Sequence, residues 1–142
     1  MISVSIFRVC KDVRFSADEV KRIVRLVCQK EKVRRAELSF VYTDDKKIKA
    51  INKKFLNHAT TTDILTFPFE EGTVSAEIYI NVKQAQRQAE EYDVTLKNEM
   101  TRLVVHGTLH ALGYDDIKPL RKKVMFERQE RYVAILGHTR RG

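Results

Sequence analysis

The stretch that decides the fold is TLKNEMTRLVVHGTLHALGYDD, residues 95–116. Thr95 can cap the start of a helix, an apolar-rich run follows it, and Gly113 can adopt the left-handed conformation that ends a helix. His106 and His110 lie four residues apart, so about 400° of helical turn brings both imidazoles to one face, about 6 Å apart along the axis. The segment therefore predicts a central helix that carries two potential metal ligands side by side.

A third ligand could come from the turn that follows this helix. Either Asp115 or Asp116 could reach an ion shared by the two imidazoles. The frame HxxxHxxGxxD matches that of the extended metalloprotease motif HExxHxxGxxH, with Asp116 in the third ligand position. Three protein ligands and an open fourth position are typical of a catalytic zinc site. We therefore predict one Zn²⁺ per chain, bound by His106, His110 and Asp116.

The position after the first histidine argues against ordinary zinc-peptidase chemistry. In metalloproteases this position is a glutamate, which acts as the general base. In this chain it is Gly107. Without a carboxylate on that turn, nothing there can take a proton from the attacking water, so the sequence favours a different hydrolytic reaction.

Strand and helix patterns alternate on both sides of the metal motif. The sequence predicts strands over residues 2–9, 38–42, 63–69 and 74–80, and helices over residues 16–27, 44–55, 81–92, 95–112 and 119–136. The third and fourth strands flank a Glu71-Gly72 turn and predict a hairpin. This mixture indicates an α+β domain or a mixed α/β sheet. We expect α+β: one domain with a mixed four-stranded sheet, about five helices and the metal site on a central helix.

Length and composition favour one soluble domain. Of the 142 residues, we expect 1–137 to form a single metal-dependent hydrolase domain and 138–142 to form a short basic tail. The apolar runs are far shorter than the roughly 20 residues that cross a bilayer, and the N-terminus does not resemble a signal peptide. We therefore expect a cytoplasmic protein without membrane contact, in which Cys10 and Cys28 are reduced core thiols.

Charge points to a polyanionic partner. The chain has 27 Lys and Arg against 19 Asp and Glu, a formal net charge of +8, which favours polyanionic partners, RNA or DNA above all, although many small basic proteins share this balance. No aromatic-rich run of the RNA-recognition type occurs, so contact with the phosphate backbone is expected. The candidate phosphate contacts are Lys53, Lys54, Arg102, Arg121, Lys122 and Lys123, with Arg140 and Arg141 in the tail.

Several segments resemble one family. HGTLHALGYDD (106–116) is similar to the HGxLHxxGYDH signature of the YbeY family, and TDILTFP (62–68) resembles its TDVLSFP segment. AEIYI (76–80) resembles its GDIxI strand, and NKKF (52–55) resembles its LNxxY/F helix end. The match covers roughly residues 38–130. The resemblance implies a zinc-dependent, single-strand-specific endoribonuclease that acts in 16S rRNA 3′-end maturation and ribosome quality control, with single-stranded RNA and the small ribosomal subunit as partners.

Two positions depart from the family pattern. The third ligand is usually a histidine there, and Asp116 in its place lowers the net charge of the site by one and weakens the ion as a Lewis acid. Family members usually carry an arginine where this chain has Leu56. An arginine there could clamp a scissile phosphate through two hydrogen bonds, whereas Lys53 or Lys54 would supply only a point charge, and Arg102 is a third possible substitute.

Four further residues could be related to the site, and for Asp115 two interpretations are open. Asp115 could accept a proton during catalysis, or it could only stabilise the turn after the central helix. His58 is expected to be a solvated loop residue, His138 to lie outside the site, and Met125 to pack in the core.

Two alternative functions share the ligand frame: a metallopeptidase, and a non-catalytic ribosome-associated module whose metal is structural.

Overall fold

The computed structural model describes residues 1–11, 13–56, 62–69 and 72–138. Four strands form one sheet, and five helices pack around it within these residues. The strands are β1 (Ile2–Arg8), β2 (Ala36–Thr43), β3 (Ile64–Pro68) and β4 (Ser75–Asn81), and the helices are α1 (Ala17–Lys30), α2 (Asp45–Leu56), α3 (Val82–Glu91), α4 (Leu96–Ala111) and α5 (Pro119–Ile135).

The sheet is mixed, with the strand order β1-β2-β4-β3. β1, β2 and β4 run parallel, so that Phe40 in β2 lies opposite Ile6 on one side and Ile78 on the other. β3 pairs antiparallel with β4, as the predicted hairpin requires, although Glu71 of its predicted turn lies outside the described residues. The prediction of an α+β domain with a mixed four-stranded sheet is confirmed.

Three predicted helix starts are confirmed by their caps. The side chains of Ser16, Asn81 and Thr95 each accept a hydrogen bond from the backbone N–H three residues further on, at 3.1, 3.2 and 3.0 Å. Each cap satisfies a backbone donor that has no partner inside its helix. The polar residue before each apolar-periodic run therefore fixes where the helix begins.

α4 lies at the centre of the fold. It contacts α1, α3, α5, β3 and β4, and Met100, Val104 and Leu109 on it are fully buried. The apolar core extends through the chain from Cys10 to Leu136 as one cluster. Cys10 and Cys28 are free thiols inside this core, and burial raises the pKa of Cys28 to about 11. None of the described helices is long and apolar enough to cross a membrane.

Gly107 is the point at which α4 comes closest to the sheet. A Cβ atom placed on it would lie 2.8 Å from Cγ2 of Ile78 and 3.0 Å from Cδ1 of Ile64. These distances are shorter than van der Waals contact, so only glycine lets the helix lie this close to β3 and β4. The residue that follows the first histidine therefore faces the sheet.

We predict that Gly107→Ala lowers the free energy of unfolding by about 1 kcal/mol. Overpacking against the stiff, β-branched Ile78 costs about 1–3 kcal/mol, while alanine improves the helix propensity by about 1 kcal/mol. Chemical denaturation of both proteins measures the difference. A variant more stable than the wild type would show that helix propensity dominates and that the close contact does not exist.

Candidate metal centre

Three side chains from α4 and the following turn converge on one point. His106 and His110 lie on the same face of α4, with ring centroids 5.1 Å apart. His110 Nε2 lies 3.8 Å from Asp116 Oδ2, and one ligand atom from each of the three residues lies within 4.8 Å of the other two. Tetrahedral zinc needs ligand atoms about 3.4 Å apart, so small side-chain rotations would close the site on an ion. The donor set of two imidazoles and one carboxylate suits zinc.

A glycine turn brings the aspartate back toward the helix. Gly113 has a φ of +109°, and its N–H donates to the His110 carbonyl at 3.0 Å, while the Tyr114 N–H donates to the Leu109 carbonyl at 3.1 Å. These bonds satisfy carbonyls at the end of α4 and reverse the chain. The turn thus places Asp116 beside the imidazole of His110.

The surroundings favour the neutral form of His110. Its pKa lies below the usual value, first because the ring is partly buried and second because His106 is close, while Asp116 acts in the opposite direction. A neutral imidazole keeps a lone pair available for a metal ion. The ring is therefore prepared as a ligand at neutral pH.

Gln129 orients the other imidazole, and sequence reasoning missed it. The Nδ1 of His106 lies 2.7 Å from Oε1 of Gln129, so Nδ1–H donates to this amide oxygen and leaves Nε2 free to bind a metal. The Gln129 amide nitrogen in turn donates to Oε2 of Glu130 at 3.0 Å. The sequence pattern that could have pointed to Gln129 is its position on the buried face of the last predicted helix, one turn after Met125 and three residues before Tyr132.

A pocket opens directly beside the metal group. Its volume is about 250 Å³, and His106 and Asp116 form part of its wall. The wall also includes Asp63, Gln88, Tyr92, Glu99, Arg102, Leu103, Lys122, Met125, Phe126 and Gln129. Among the residues that the structure describes, the metal group has three protein ligands, so a fourth position would be open to a molecule in this pocket.

Comparison with known proteins identifies the family. The family model described as endoribonuclease YbeY matches residues 8–137. The endoribonuclease YbeY of Chlorobium phaeovibrioides is 34% identical over 120 residues, which cover 84% of this chain and 81% of the relative. That of Oceanobacillus iheyensis is 36% identical over 137 residues, with coverages of 87% and 89%. This chain belongs to the YbeY family.

A solved structure supports the same assignment. The solution structure of TM1509 from Thermotoga maritima matches with a TM-score of 0.69 and 29% sequence identity, covering 94% of this chain and 87% of that one. The resemblance seen in four short sequence segments therefore extends over nearly the whole fold. The chain is thus a member of a family of hydrolytic endoribonucleases.

The packing of α4 also accounts for the missing peptidase glutamate. A side chain at position 107 would point at Ile64 and Ile78 and not into the pocket. A glutamate there could not contact a water molecule beside His106 without moving the helix off the sheet. The absence of this base in a YbeY-family chain is therefore a consequence of how α4 packs.

Arg102, a candidate phosphate contact, lies in a buried ion-pair network and forms part of the pocket wall. The Arg102 side chain is only 2% exposed, and its guanidinium pairs with Glu99 at 3.1 Å and with Glu130 at 2.9 Å. Its Nη1 also donates to the Asn98 side chain at 2.7 Å. Two carboxylates balance the charge of this guanidinium, so its contacts favour a structural role, and a phosphate contact of Arg102 stays a prediction.

Asp115 makes the contacts of a turn residue. Its carboxylate accepts the Ile117 N–H at 3.2 Å and pairs with Arg121 at 3.1 Å. The Ile117 hydrogen bond, followed by Arg121, lowers the pKa of Asp115 below its usual value. These contacts support the turn-stabilising interpretation, and a catalytic role for Asp115 stays a prediction. They also bind Arg121 to a carboxylate, which reduces its availability to RNA.

The lysine candidates differ in position. Lys122 lines the pocket, whereas Lys123 is exposed on α5 outside the pocket wall. Lys53 and Lys54 are exposed near the end of α2, and the Lys54 amine lies 5.3 Å from the ring centroid of Phe55. Of these lysines, Lys122 is therefore the one placed beside the metal group.

Some predicted residues fall outside the description or outside the site. The side chain of Leu56 and the whole of His58, Arg140 and Arg141 lie outside the described residues. His138 is partly buried at the end of the described chain and is not part of the metal group. Met125 is 1% exposed in the core cluster, as predicted.

The Glu31 carboxylate connects the turn that carries Asp116 to α1 and α5. Glu31, the C-cap residue of α1, accepts hydrogen bonds from the hydroxyls of Tyr114, at 2.7 Å, and Tyr132, and it pairs with Arg128 at 3.3 Å. Burial, followed by the hydrogen bond to Glu31, raises the pKa of Tyr114 to about 12. Tyr114 lies two residues before Asp116, so this contact also restrains the third ligand.

We predict that Tyr114→Phe weakens zinc binding about tenfold, because the turn that carries Asp116 loses its anchor. Tyr132→Phe is the matched control: it removes the other hydroxyl from the same Glu31 carboxylate, but on α5 and away from the turn. Both variants lower the free energy of unfolding by about 1–3 kcal/mol. Competition titration with a zinc chelator dye gives the dissociation constants, and equal constants for the two variants would contradict the anchoring role.

Proposed function

We propose that this chain is a zinc-dependent, single-strand-specific endoribonuclease of the cytoplasm that acts in 16S rRNA 3′-end maturation and ribosome quality control. The observation that carries the proposal is the group of His106, His110 and Asp116, whose ligand atoms lie within 4.8 Å beside an open pocket. Membership of the endoribonuclease YbeY family supports the reaction class. Residues 1–137 would form the hydrolase domain, and residues 138–142 a basic tail.

The residues of the metal group and Gln129 would each have a defined role in the proposed reaction. A bound Zn²⁺ would supply a Lewis acid that stabilises negative charge on a phosphoryl oxygen. His106 and His110 would hold the ion as neutral ligands, and Asp116 would offset one of its two charges. Gln129 keeps the proton of His106 on Nδ1, so that the ligating nitrogen remains unprotonated.

RNA binding would rest on charge at the surface. The net charge of +8 favours a polyanion, and Lys53, Lys54, Lys122 and Lys123 are exposed. Each phosphate contact releases condensed counterions, so affinity would fall steeply with salt. The family resemblance implies that the substrate is the single-stranded 3′ end of 16S rRNA. We therefore propose the small ribosomal subunit, which contains this RNA, as the partner.

We predict that the purified chain binds close to one Zn²⁺ per molecule and cleaves single-stranded RNA but not an RNA duplex. A chelator abolishes cleavage, and His110→Ala reduces it to the level seen with the chelator, because two ligands do not hold the ion. His138→Ala, a histidine outside the metal group, leaves metal content and cleavage unchanged. Metal analysis and a gel-based cleavage assay measure both properties.

Two results would contradict the proposed function. Chelator-sensitive digestion of casein without RNA cleavage would indicate a metallopeptidase. A large drop in melting temperature on chelation, with no hydrolysis of RNA under any zinc concentration, would indicate a ribosome-associated module with a structural metal.

A further inference from the structure

Two aromatic rings stand at the pocket beside the metal group. Tyr92, which follows α3, is 38% exposed, and Phe126 on α5 is 53% exposed. The buried residues that line the pocket include two apolar ones, Leu103 and Met125, which are 3% and 1% exposed and lie beside the polar Glu99, Arg102 and Gln129. Exposed aromatic rings are the usual platform on which unpaired bases stack in single-strand-binding proteins. A volume of about 250 Å³ admits a single nucleobase.

Besides Asp116, the pocket wall carries the carboxylates of Asp63 and Glu99, of which Glu99 pairs with the Arg102 guanidinium at 3.1 Å. The Asp63 carboxylate has two long hydrogen-bond contacts, 3.5 Å from Thr62 Oγ1 and 3.4 Å from Gln88 Nε2. The Gln88 amide is held more firmly by Glu99, at 2.7 Å. Contacts of this length leave most of the accepting capacity of Asp63 unused. A carboxylate repels phosphate, so in an RNA-binding pocket its natural counterpart is an N–H donor on a base edge.

A positive charge lies on the same side of α5 as the ring of Phe126. Lys122 precedes Phe126 by four residues, one helical turn, and both line the pocket. Among the described residues, no carboxylate lies within ion-pairing distance of the Lys122 amine, in contrast to Arg121, which pairs with Asp115. Lys122 is therefore placed to contact the phosphate that adjoins a base seated in the pocket.

We propose that this pocket binds one unpaired nucleobase next to the metal centre and prefers a base with an exocyclic amine. Phe126 and Tyr92 stack on the base, and Asp63 accepts the amine hydrogen of cytosine, adenine or guanine. Uracil is disfavoured because its single N–H on this edge lies between two carbonyl oxygens that a carboxylate repels. The inference rests on the proposed function, since it assigns a subsite for the RNA substrate.

Fluorescence anisotropy with labelled pentanucleotides of cytidine, adenosine and uridine tests the subsite, with a chelator present so that no strand is cleaved. We expect wild type to bind the cytidine and adenosine strands about fivefold more tightly than the uridine strand. Phe126→Ala weakens binding of all three strands about tenfold, and Phe126→Tyr retains it. Phe7→Ala, an equally exposed phenylalanine on β1 (56%), is the matched control and leaves binding unchanged.

Asp63→Asn tests the base-edge contact separately. An amide offers a donor as well as an acceptor, so the preference for cytidine and adenosine over uridine should disappear. An equal gain in affinity for all three strands would instead show that Asp63 only repels the backbone, which would overturn the proposed contact.

The binding and cleavage experiments distinguish a failure of the proposed endoribonuclease function from a failure of the proposed base subsite. If wild type binds none of the strands and cleaves no RNA, the proposed function itself is contradicted. If wild type binds or cleaves RNA, but Phe126→Ala behaves like Phe7→Ala and the three strands bind equally, only the base subsite is contradicted. Thermal melting by circular dichroism verifies that each variant is folded before its binding is compared.

Discussion

The burial of α4 is the constraint on which the rest of the structure depends. The helix is enclosed by three other helices and by β3 and β4, and at Gly107 its backbone packs directly on the side chains of Ile64 and Ile78. Most of the surface of α4 is therefore buried against these elements. His106 and His110 lie on the part of the helix that remains partly exposed, and this is where the metal group forms. The position of the proposed metal site thus follows from how the helix is packed.

A second consequence is that charged residues are buried with the helix and must be balanced. Glu99 and Arg102 are 1% and 2% exposed, and removal from water is costly for each of them. Their mutual contact, together with Glu130, offsets that cost. Glu130 also holds Gln129, which orients His106. The network that surrounds the buried charges therefore also fixes the tautomer of His106, a proposed metal ligand.

The sequence predicted the parts of the molecule that depend on short-range geometry. The helix caps at Ser16, Asn81 and Thr95 act over three residues, and the spacing of the two histidines is that of one helical turn. Asp116 was placed by the same logic, because a glycine turn reverses the chain within a few residues. These features were accessible because neighbouring residues alone determine them.

The features that were missed depend on contacts between distant segments. Gln129 meets His106 across 23 residues, and Glu31 meets Tyr114 across 83. Nothing near Arg102 in the sequence shows that Glu130, 28 residues further on, pairs with its guanidinium. Neither the periodicity nor the composition of the sequence indicates which distant side chains pair. The side-chain networks and the orientation of position 107 could therefore be identified only in the three-dimensional structure.

X-ray absorption at the zinc edge of the metal-loaded chain tests the central claim most directly, because it counts the ligands around the ion. The account predicts a four-coordinate site with two imidazole nitrogens and one carboxylate oxygen, at about 2.0–2.2 Å, and a fourth oxygen from solvent. A sulfur ligand, fewer than two imidazoles, or a fourth side chain that closes the site would contradict it.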